Sequence, residues 1–162
     1  MRRISSLSRH PYTVCFVAGG VTTFGFAPFH LLLLALVIAL PLFYHFLMRA
    51  QTMRQALLSA FFYGYGYFMA GTWWISNALL VDAEKFGWMV PLSVLGLSAV
   101  LALWFLPLGV VTYRWKTRMH PLFFAVLWGI VEYARSYGIF GFPWNLMGYM
   151  ALSVLPVAQA AS

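Results

Sequence analysis

The run from Ala56 to Val81, ALLSAFFYGYGYFMAGTWWISNALLV, contains no charged side chain. A helix needs about 20 mostly apolar residues to cross the hydrocarbon core of a bilayer, and this run is long enough. Small residues recur every four positions at Ala56, Ala60 and Gly64, and again at Gly66 and Ala70. Small residues at this spacing let helices approach closely in lipid. The run therefore predicts a membrane-spanning helix that packs tightly against other helices.

The composition of the whole chain agrees with this prediction. The 162 residues are 63% hydrophobic and 8% charged, whereas soluble domains are about 25% charged. The net charge is +7, but the basic residues form short clusters between apolar runs. No basic stripe, zinc-finger pattern or RNA-binding motif accompanies them, so nucleic acid is excluded as a partner.

The charge clusters divide the chain into five apolar segments, and a sixth segment begins after Trp144. The five cover approximately Pro11–Pro28, Leu31–Met48, Ala56–Val81, Trp88–Tyr113 and Pro121–Gly138. We expect the first two to form a tight helical hairpin; a pair of shallow re-entrant helices is the alternative. The predicted fold class is all-α, a polytopic integral membrane bundle of about five transmembrane helices plus the start of a sixth. Residues 1–162 would form one membrane domain.

The basic residues predict the orientation of these helices. Eight of the ten fall on one side, and only Lys85 and Arg135 fall on the other; the eight are Arg2, Arg3, Arg9, Arg49, Arg54, Arg114, Lys116 and Arg118. Basic loops stay in the cytoplasm, so the N-terminus is predicted to be cytoplasmic. A signal peptide is the alternative for the first span, but no clean small-x-small cleavage site follows it.

The chain offers few residues for catalysis or metal binding. Cys15 is its single cysteine, which excludes an internal disulfide, and a lone cysteine within a span is usually a small apolar residue. The four histidines are scattered without metal-ligand spacing. Asp82 and Glu84 lie two residues apart in a loop and are read as solvated surface. We therefore predict no catalytic residue, no metal and no cofactor.

Glu132 and Arg135 stand out because they lie inside an apolar run. Ionisable groups at membrane depth cost roughly 2.5–3.5 kcal/mol each on insertion scales. At spacing i,i+3 the two side chains share a helical face and can pair. One interpretation is a structural ion pair that fixes the rotation of the helix. The other is a site at the outer leaflet, where Arg135 binds a phosphate or substrate and Glu132 orients it.

The sequence around this pair resembles a known family. Glu132-x-x-Arg135 followed by Gly141-Phe142-Pro143-Trp144-Asn145 and Gly148-Tyr149 resembles the membrane domain of bacterial apolipoprotein N-acyltransferase. Three further stretches fit the family in order: Phe24-Gly25-Phe26-Ala27-Pro28-Phe29, Gly71-Thr72-Trp73-Trp74 and Leu127-Trp128. The similarity covers nearly the whole chain.

The resemblance implies an eight-helix domain in the bacterial inner membrane, with a periplasmic nitrilase-like domain inserted before the last span. Its members transfer an acyl chain from a phospholipid to the N-terminal diacylglyceryl-cysteine of a lipoprotein through a Glu-Lys-Cys triad. That triad lies in the nitrilase-like domain, which this chain does not reach, so no catalytic residue is carried over and the chain alone is predicted to be inactive. The implied partners are membrane phospholipid and apolipoprotein. The candidate structural or substrate-access residues are Glu132, Arg135, Phe142, Pro143, Trp144 and Asn145.

Three functional interpretations follow. In the first, the chain is the N-terminal membrane portion of the acyltransferase. In the second, it is a stand-alone membrane module, an interaction or lipid-handling subunit that pairs with a separately encoded catalytic chain. The third, a small transporter or lipid-handling protein of another family, needs a polar path through the bundle, and the predicted spans contain too few polar residues to build one.

Overall fold

In a computed structural model, the described part of the chain comprises residues 10–137, 141–154, 156 and 159, and every regular element in it is helical. This agrees with the predicted all-α class. Arg2, Arg3, Arg9, Gly138 and the last part of the expected sixth segment, apart from residues 156 and 159, lie outside the described residues.

The described part of the chain contains nine α-helices and several short 3₁₀ turns. They are α1 (Pro11–Thr22), α2 (Leu40–Arg49), α3 (Met53–Thr72), α4 (Asn77–Leu80), α5 (Ala83–Phe86), α6 (Val90–Ala102), α7 (Leu106–Arg114), α8 (Pro121–Tyr137) and α9 (Met147–Met150). A π-helical stretch, Leu34–Ala39, runs directly into α2. Each of the five apolar segments thus contains a helix.

Proline marks the start of most of the longer helices. It occupies the first or second position of α1, α2, α6 and α7, and α8 begins at Pro121. At Pro11 and Pro121, where a helical stretch begins, the proline costs no hydrogen bond because the N–H groups of a first turn have no partner within the helix. Pro41 instead follows the π-helical stretch, and Pro91 and Pro107 lie within the continuous helical stretch Ala83–Arg114. The central helix α3 begins differently, with the Thr52 hydroxyl accepting a hydrogen bond from the Gln55 N–H at 3.2 Å.

Helix α3 lies at the centre of the bundle and packs against α1, α2, α6 and α7. Its two stripes of small residues face different neighbours, as the spacing predicts. A Cβ added at Gly66 would overlap the carbonyl oxygen of Phe16 in α1, and one added at Gly64 would lie 2.9 Å from the Phe105 ring. The small-residue stripes are therefore the surfaces where α3 touches its partners.

The core between α2, α3 and α8 is aromatic. The rings of Phe43 and Tyr63 stack with centroids 3.9 Å apart, and Trp128 of α8 meets both rings edge-on. Tyr67, one turn further along α3, also contacts Trp128. Edge-to-face and stacked pairs add about 0.5–1.5 kcal/mol each beyond the area they bury. This cluster fixes α8 against the centre of the bundle.

A buried hydrogen bond links α1 to α3. The Thr22 hydroxyl donates to the Ala18 carbonyl at 2.8 Å and lies 2.6 Å from the Tyr63 hydroxyl. Because the Thr22 proton is already used, Tyr63 is the donor of the second bond.

Tyr63→Phe should lower the free energy of unfolding by about 1 kcal/mol, within the range measured for hydrogen bonds between membrane helices. The measurement is chemical unfolding in detergent micelles. Tyr65→Phe is the matched control, because the Tyr65 hydroxyl makes no hydrogen bond to the described residues and should be dispensable. An equal fall in the free energy of unfolding for the two variants would show that the hydrogen bond between Tyr63 and Thr22 does not stabilise the protein.

Two loops that carry basic residues meet at one end of the bundle. The Lys116 ammonium donates to the carbonyl of Ala50, and the Tyr113 hydroxyl donates to the carbonyl of Gln51 at 3.3 Å. The link between α2 and α3 therefore lies beside the link between α7 and α8.

Within the described residues, one helix is long and apolar enough by itself to cross a membrane. It is the continuous helical stretch Ala83–Arg114, with 32 residues. The stretch Leu34–Arg49 is apolar but shorter, and α1 has 12 residues. The expected count of five spans is thus not established by helix length and composition, although the five helical segments are present.

Candidate functional site

The most buried charge in the described chain is Arg135, in the last turn of α8. Its side chain is 2% exposed, and it binds a loop formed by residues 141–146. One guanidinium nitrogen, Nη1, donates to the carbonyls of Phe142 and Trp144, both at 2.8 Å. Nη2 lies 3.4 Å from the carbonyl of Asn145. A rigid planar group with several donors suits such a set of divergent acceptors.

Glu132 holds the far end of the same loop. Its Oε1 accepts a hydrogen bond from the backbone N–H of Met147 at 2.8 Å, where α9 begins. The hydrogen bonds of Glu132 and Arg135 therefore go to the chain that follows α8 rather than to each other. The direct pair expected from the i,i+3 spacing is replaced by two separate anchors, which together fix both ends of a six-residue loop.

An aromatic ring of α3 packs against the Arg135 guanidinium. Its Cζ lies 5.1 Å from the centre of the Phe68 ring, within the range of a cation–π contact. The Phe142 ring meets the same Phe68 ring edge-on at 6.4 Å. Phe142 is thus directed at α3 and half-buried, which secures the first part of the loop.

Asn145 connects the loop to the C-terminal end of the α3 helix. Its carbonyl accepts a hydrogen bond from the buried Tyr67 hydroxyl at 2.5 Å. Its backbone has φ of 54°, a left-handed conformation that asparagine tolerates better than most residues. The side-chain amide lies directly over Gly71, where a Cβ would overlap Nδ2. Glycine is required at position 71 because the amide occupies the space of a side chain.

Pro143 and Trp144 are the exposed part of the loop. The Trp144 side chain is 49% exposed, and its ring meets Trp74 edge-on with centroids 5.8 Å apart. Their side chains therefore remain available for contact with another molecule, while the backbone beneath them is fixed by Arg135.

Three separated sequence motifs meet beside this loop. A cavity of about 390 Å³ is lined by the Phe26–Phe29 part of the first motif, by the Gly71–Trp74 turn and by Asn145. The Asn145 Nδ2 atom is buried there without a hydrogen-bond partner among the described residues. Three of the stretches that carry the family resemblance are thus neighbours in space.

The structure brings all six candidate residues together, and it adds three that the sequence did not indicate as site residues. These residues of α3 contact the loop from across the bundle: Tyr67, Phe68 and Gly71. The one available signal was the Gly-Thr-Trp-Trp motif, which contains Gly71. Tyr67 and Phe68 belong to a run of aromatic residues, and the sequence pattern does not show which residue of that run has which role.

Comparison with known proteins identifies the family. The family model for the apolipoprotein N-acyltransferase N-terminal domain matches residues 18–162. The chain is 40% identical over 116 residues to the apolipoprotein N-acyltransferase of Allorhizobium ampelinum, covering 70% of this chain and 22% of that protein. The corresponding proteins of Brucella melitensis and Rhizobium meliloti are 41% identical over 118 residues and 46% identical over 105 residues. These matches cover 70% and 62% of this chain, and 22% and 19% of the two proteins.

The chain thus spans about a fifth of the length of the curated relatives it matches. The matched region contains the Glu132–Arg135 pair, the 141–146 loop and most of the residues that hold it. The chain belongs to the family of the apolipoprotein N-acyltransferase N-terminal domain.

Proposed function

We propose that this chain is the N-terminal membrane portion of an apolipoprotein N-acyltransferase. It would serve an acyl transfer from phospholipid to the N-terminal diacylglyceryl-cysteine of lipoproteins without supplying the catalytic residues. The observation that carries the proposal is the anchored 141–146 loop, whose backbone is fixed by Arg135 and Glu132 and whose Trp144 ring is exposed. A fixed loop with an exposed aromatic ring suits a surface over which lipid and lipoprotein reach a catalytic domain.

The proposed setting is a bacterial inner membrane, crossed by about five helices and the start of a sixth, with residues 1–162 as one membrane domain and a cytoplasmic N-terminus. The hydrogen bond from Lys116 to the Ala50 carbonyl supports this orientation, because it brings two loops with basic residues together at one end of the bundle. The opposite end carries Trp73, Trp74 and Trp88, which are 58%, 43% and 71% exposed. Exposed tryptophans at one level are typical of a membrane interface.

The proposal can be tested in a strain whose own apolipoprotein N-acyltransferase can be depleted. The chain alone should give no N-acylated lipoprotein. A chimera that joins it to the remainder of the Rhizobium meliloti relative should restore N-acylation, measured by mass spectrometry of a lipoprotein N-terminus. Acylation by the chain alone would contradict the proposal, and so would a stable chimera without activity.

Within that chimera, Trp144→Ala should lower the acylation rate about tenfold, equivalent to about 1.4 kcal/mol of lost transition-state stabilisation. The loop itself should persist, because Arg135 binds the Trp144 carbonyl and not its ring. Trp115→Ala is the matched control: that ring is 53% exposed but lies at the end of the bundle that carries the basic links. Equal acylation rates for the two variants would contradict a role of Trp144 in substrate access.

The stand-alone module is the second candidate. One observation favours it: the bundle has a continuous buried core within this chain alone. In the same strain, such a module would fail to act in the chimera but would co-purify with a separately encoded catalytic chain.

A further inference from the structure

Four arginine side chains lie at the end of the bundle where the loops of residues 49–54 and 114–120 meet. These two loops are called the basic loops below. The four residues are Arg49, Arg54, Arg114 and Arg118. All four are exposed, and none of their side chains forms a hydrogen bond or an ion pair with another described residue. Their guanidinium groups are therefore free to bind something outside this chain.

Two hydrogen bonds hold the basic loops side by side without using any of these arginines. The Lys116 ammonium donates to the Ala50 carbonyl, and the Tyr113 hydroxyl donates to the Gln51 carbonyl. Each of the four arginines is one to three residues along the chain from one of these bonded residues. Consecutive Cα atoms are 3.8 Å apart, so each arginine Cα lies within about 11 Å of such a residue. The four positive charges therefore belong to one surface.

No acidic side chain among the described residues neutralises this surface. The three acidic residues of the chain are Asp82, Glu84 and Glu132. The helical stretch Ala83–Arg114 separates the first two from the basic loops, a rise of about 46 Å at 1.5 Å per residue. Glu132 is eleven residues along α8 from Pro121, about 16 Å by the same rise, and binds Met147. Charges separated by more than the Debye length of about 8 Å are largely screened from each other.

An aromatic pair lies beside the arginines. Trp115 directly follows Arg114, its side chain is 53% exposed, and its ring centroid is 5.7 Å from that of Phe123 near the start of α8. Tryptophan at the end of a membrane bundle is typical of the level of the lipid headgroups. Guanidinium groups bind phosphate oxygens through pairs of hydrogen bonds. The surface therefore combines phosphate-binding groups with an aromatic side chain suited to the membrane interface.

The position of the arginines favours a lipid headgroup over the length of the relatives that this chain does not cover. Arg49 and Arg114 are the last residues of α2 and α7, and Arg54 is the second residue of α3. A further spanning helix would pack against the sides of the bundle, through small and apolar side chains. The arginines lie at the end of the bundle instead, at the level where a bilayer presents its phosphates.

We propose that the basic loops bind the phosphate groups of an anionic phospholipid in the cytoplasmic leaflet. A lipid with two phosphates, such as cardiolipin, would be held by arginines of both loops at once. The inference rests on the proposed function, because it takes the basic end of the bundle to be the cytoplasmic end. The bound lipid is not the acyl donor, since α8 leads away from the basic loops to the 141–146 loop at the opposite end of the bundle.

The test uses the purified 162-residue chain in micelles of a neutral detergent, with lipid binding measured by native mass spectrometry. Cardiolipin should bind about tenfold more tightly than phosphatidylethanolamine, because the surface attracts net negative charge and phosphatidylethanolamine has none. Phosphatidylglycerol, with one phosphate, should fall between the two. Soluble glycerol phosphate at the same concentration as cardiolipin should not displace it, because it lacks the acyl chains that place a headgroup at the membrane interface.

One variant in each loop tests the residues themselves. Arg49→Gln and Arg118→Gln should each weaken cardiolipin binding about fivefold, the effect expected for one basic residue near an anionic membrane surface. Both side chains are exposed and unpaired among the described residues, so the bundle should stay folded. Lys85→Gln is the matched control, because it removes the same charge from an exposed residue at the opposite end. Its cardiolipin binding should be unchanged.

Equal affinity for cardiolipin and phosphatidylethanolamine would overturn the proposal, and so would an equal loss in Lys85→Gln. Displacement by glycerol phosphate would also overturn it, because the loops would then bind free phosphate. The same titration on the chimera tests the remaining occupant: cardiolipin binding by the chain but not by the folded chimera would show that the rest of the protein covers the loops. The titration does not measure acyl transfer. Failure of the chimera to acylate lipoprotein would therefore count against the proposed function and leave the binding result intact.

Discussion

Arg135→Ala should release the 141–146 loop and lower the free energy of unfolding by about 3–5 kcal/mol. An acceptor left without a partner costs about 1–3 kcal/mol, and Arg135 is the side-chain donor to the part-buried carbonyls of Phe142 and Trp144. The Asn145 carbonyl keeps its hydrogen bond from the Tyr67 hydroxyl. The variant should also unfold at lower denaturant concentration in micelles. Limited proteolysis should show new cleavage between residues 141 and 146, because the loop loses its main anchor.

Two further variants make this prediction specific. Arg135→Lys should fall between wild type and alanine, since an ammonium group cannot match the planar fork that reaches several carbonyls. Arg114→Ala is the control, because Arg114 is also in the last turn of a helix but is exposed. A loop that stays resistant to protease in Arg135→Ala would contradict the anchoring. In the acyltransferase chimera, wild-type acyl transfer by a folded Arg135→Ala variant would contradict the role of the loop in substrate access.

Gly19→Ala should destabilise the bundle by about 3 kcal/mol, at the upper end of the cost of overpacking. A Cβ at position 19 would overlap the Tyr63 carbonyl oxygen and lie 2.8 Å from the Tyr67 backbone nitrogen. Both atoms belong to the backbone of α3, so they cannot move aside as a flexible side chain would. The two helices must separate instead. The measurement is the free energy of unfolding in micelles.

The neighbouring glycine provides the control. A Cβ at Gly20 would make ordinary contacts of 3.7 Å with the Gly66 carbonyl oxygen and 3.8 Å with the Ala70 side chain. Gly20→Ala should therefore be neutral or stabilise the protein by about 0.5–1 kcal/mol, because alanine is the better helix former. Similar effects at the two positions would show that α1 and α3 do not approach each other as described.

The helical segments and their contact faces could be predicted from the sequence because both follow from local rules. Uncharged runs indicate helices, and small residues four apart indicate close approach; Gly64 and Gly66 follow these rules. The helix breaks were less predictable. The run Ala56–Val81 reads as one span, yet α3 ends at Thr72 and a 3₁₀ turn follows at Trp73–Ser76. The apolar pattern is the same on both sides of that break.

The candidate site could be located from the sequence, but its bonding could not. Glu132 and Arg135 share a helical face, and that geometry alone suggests that they pair. Their actual partners are backbone groups of residues 142–147. Every residue has a backbone carbonyl, so the sequence does not show which carbonyls an irregular loop will direct towards one side chain. The contribution of Tyr67 was hidden for a similar reason, since its partner lies 78 residues away.

The acceptors of Arg135 have a consequence for how this surface can change. Every amino acid carries a backbone carbonyl, so the guanidinium does not depend on which side chains occupy positions 142 and 144. Substitutions at the exposed positions 143 and 144 can therefore alter what the loop contacts without altering what holds it. The attachment of the loop and its recognition surface are built from different atoms of the same residues, and the two can diverge independently in evolution.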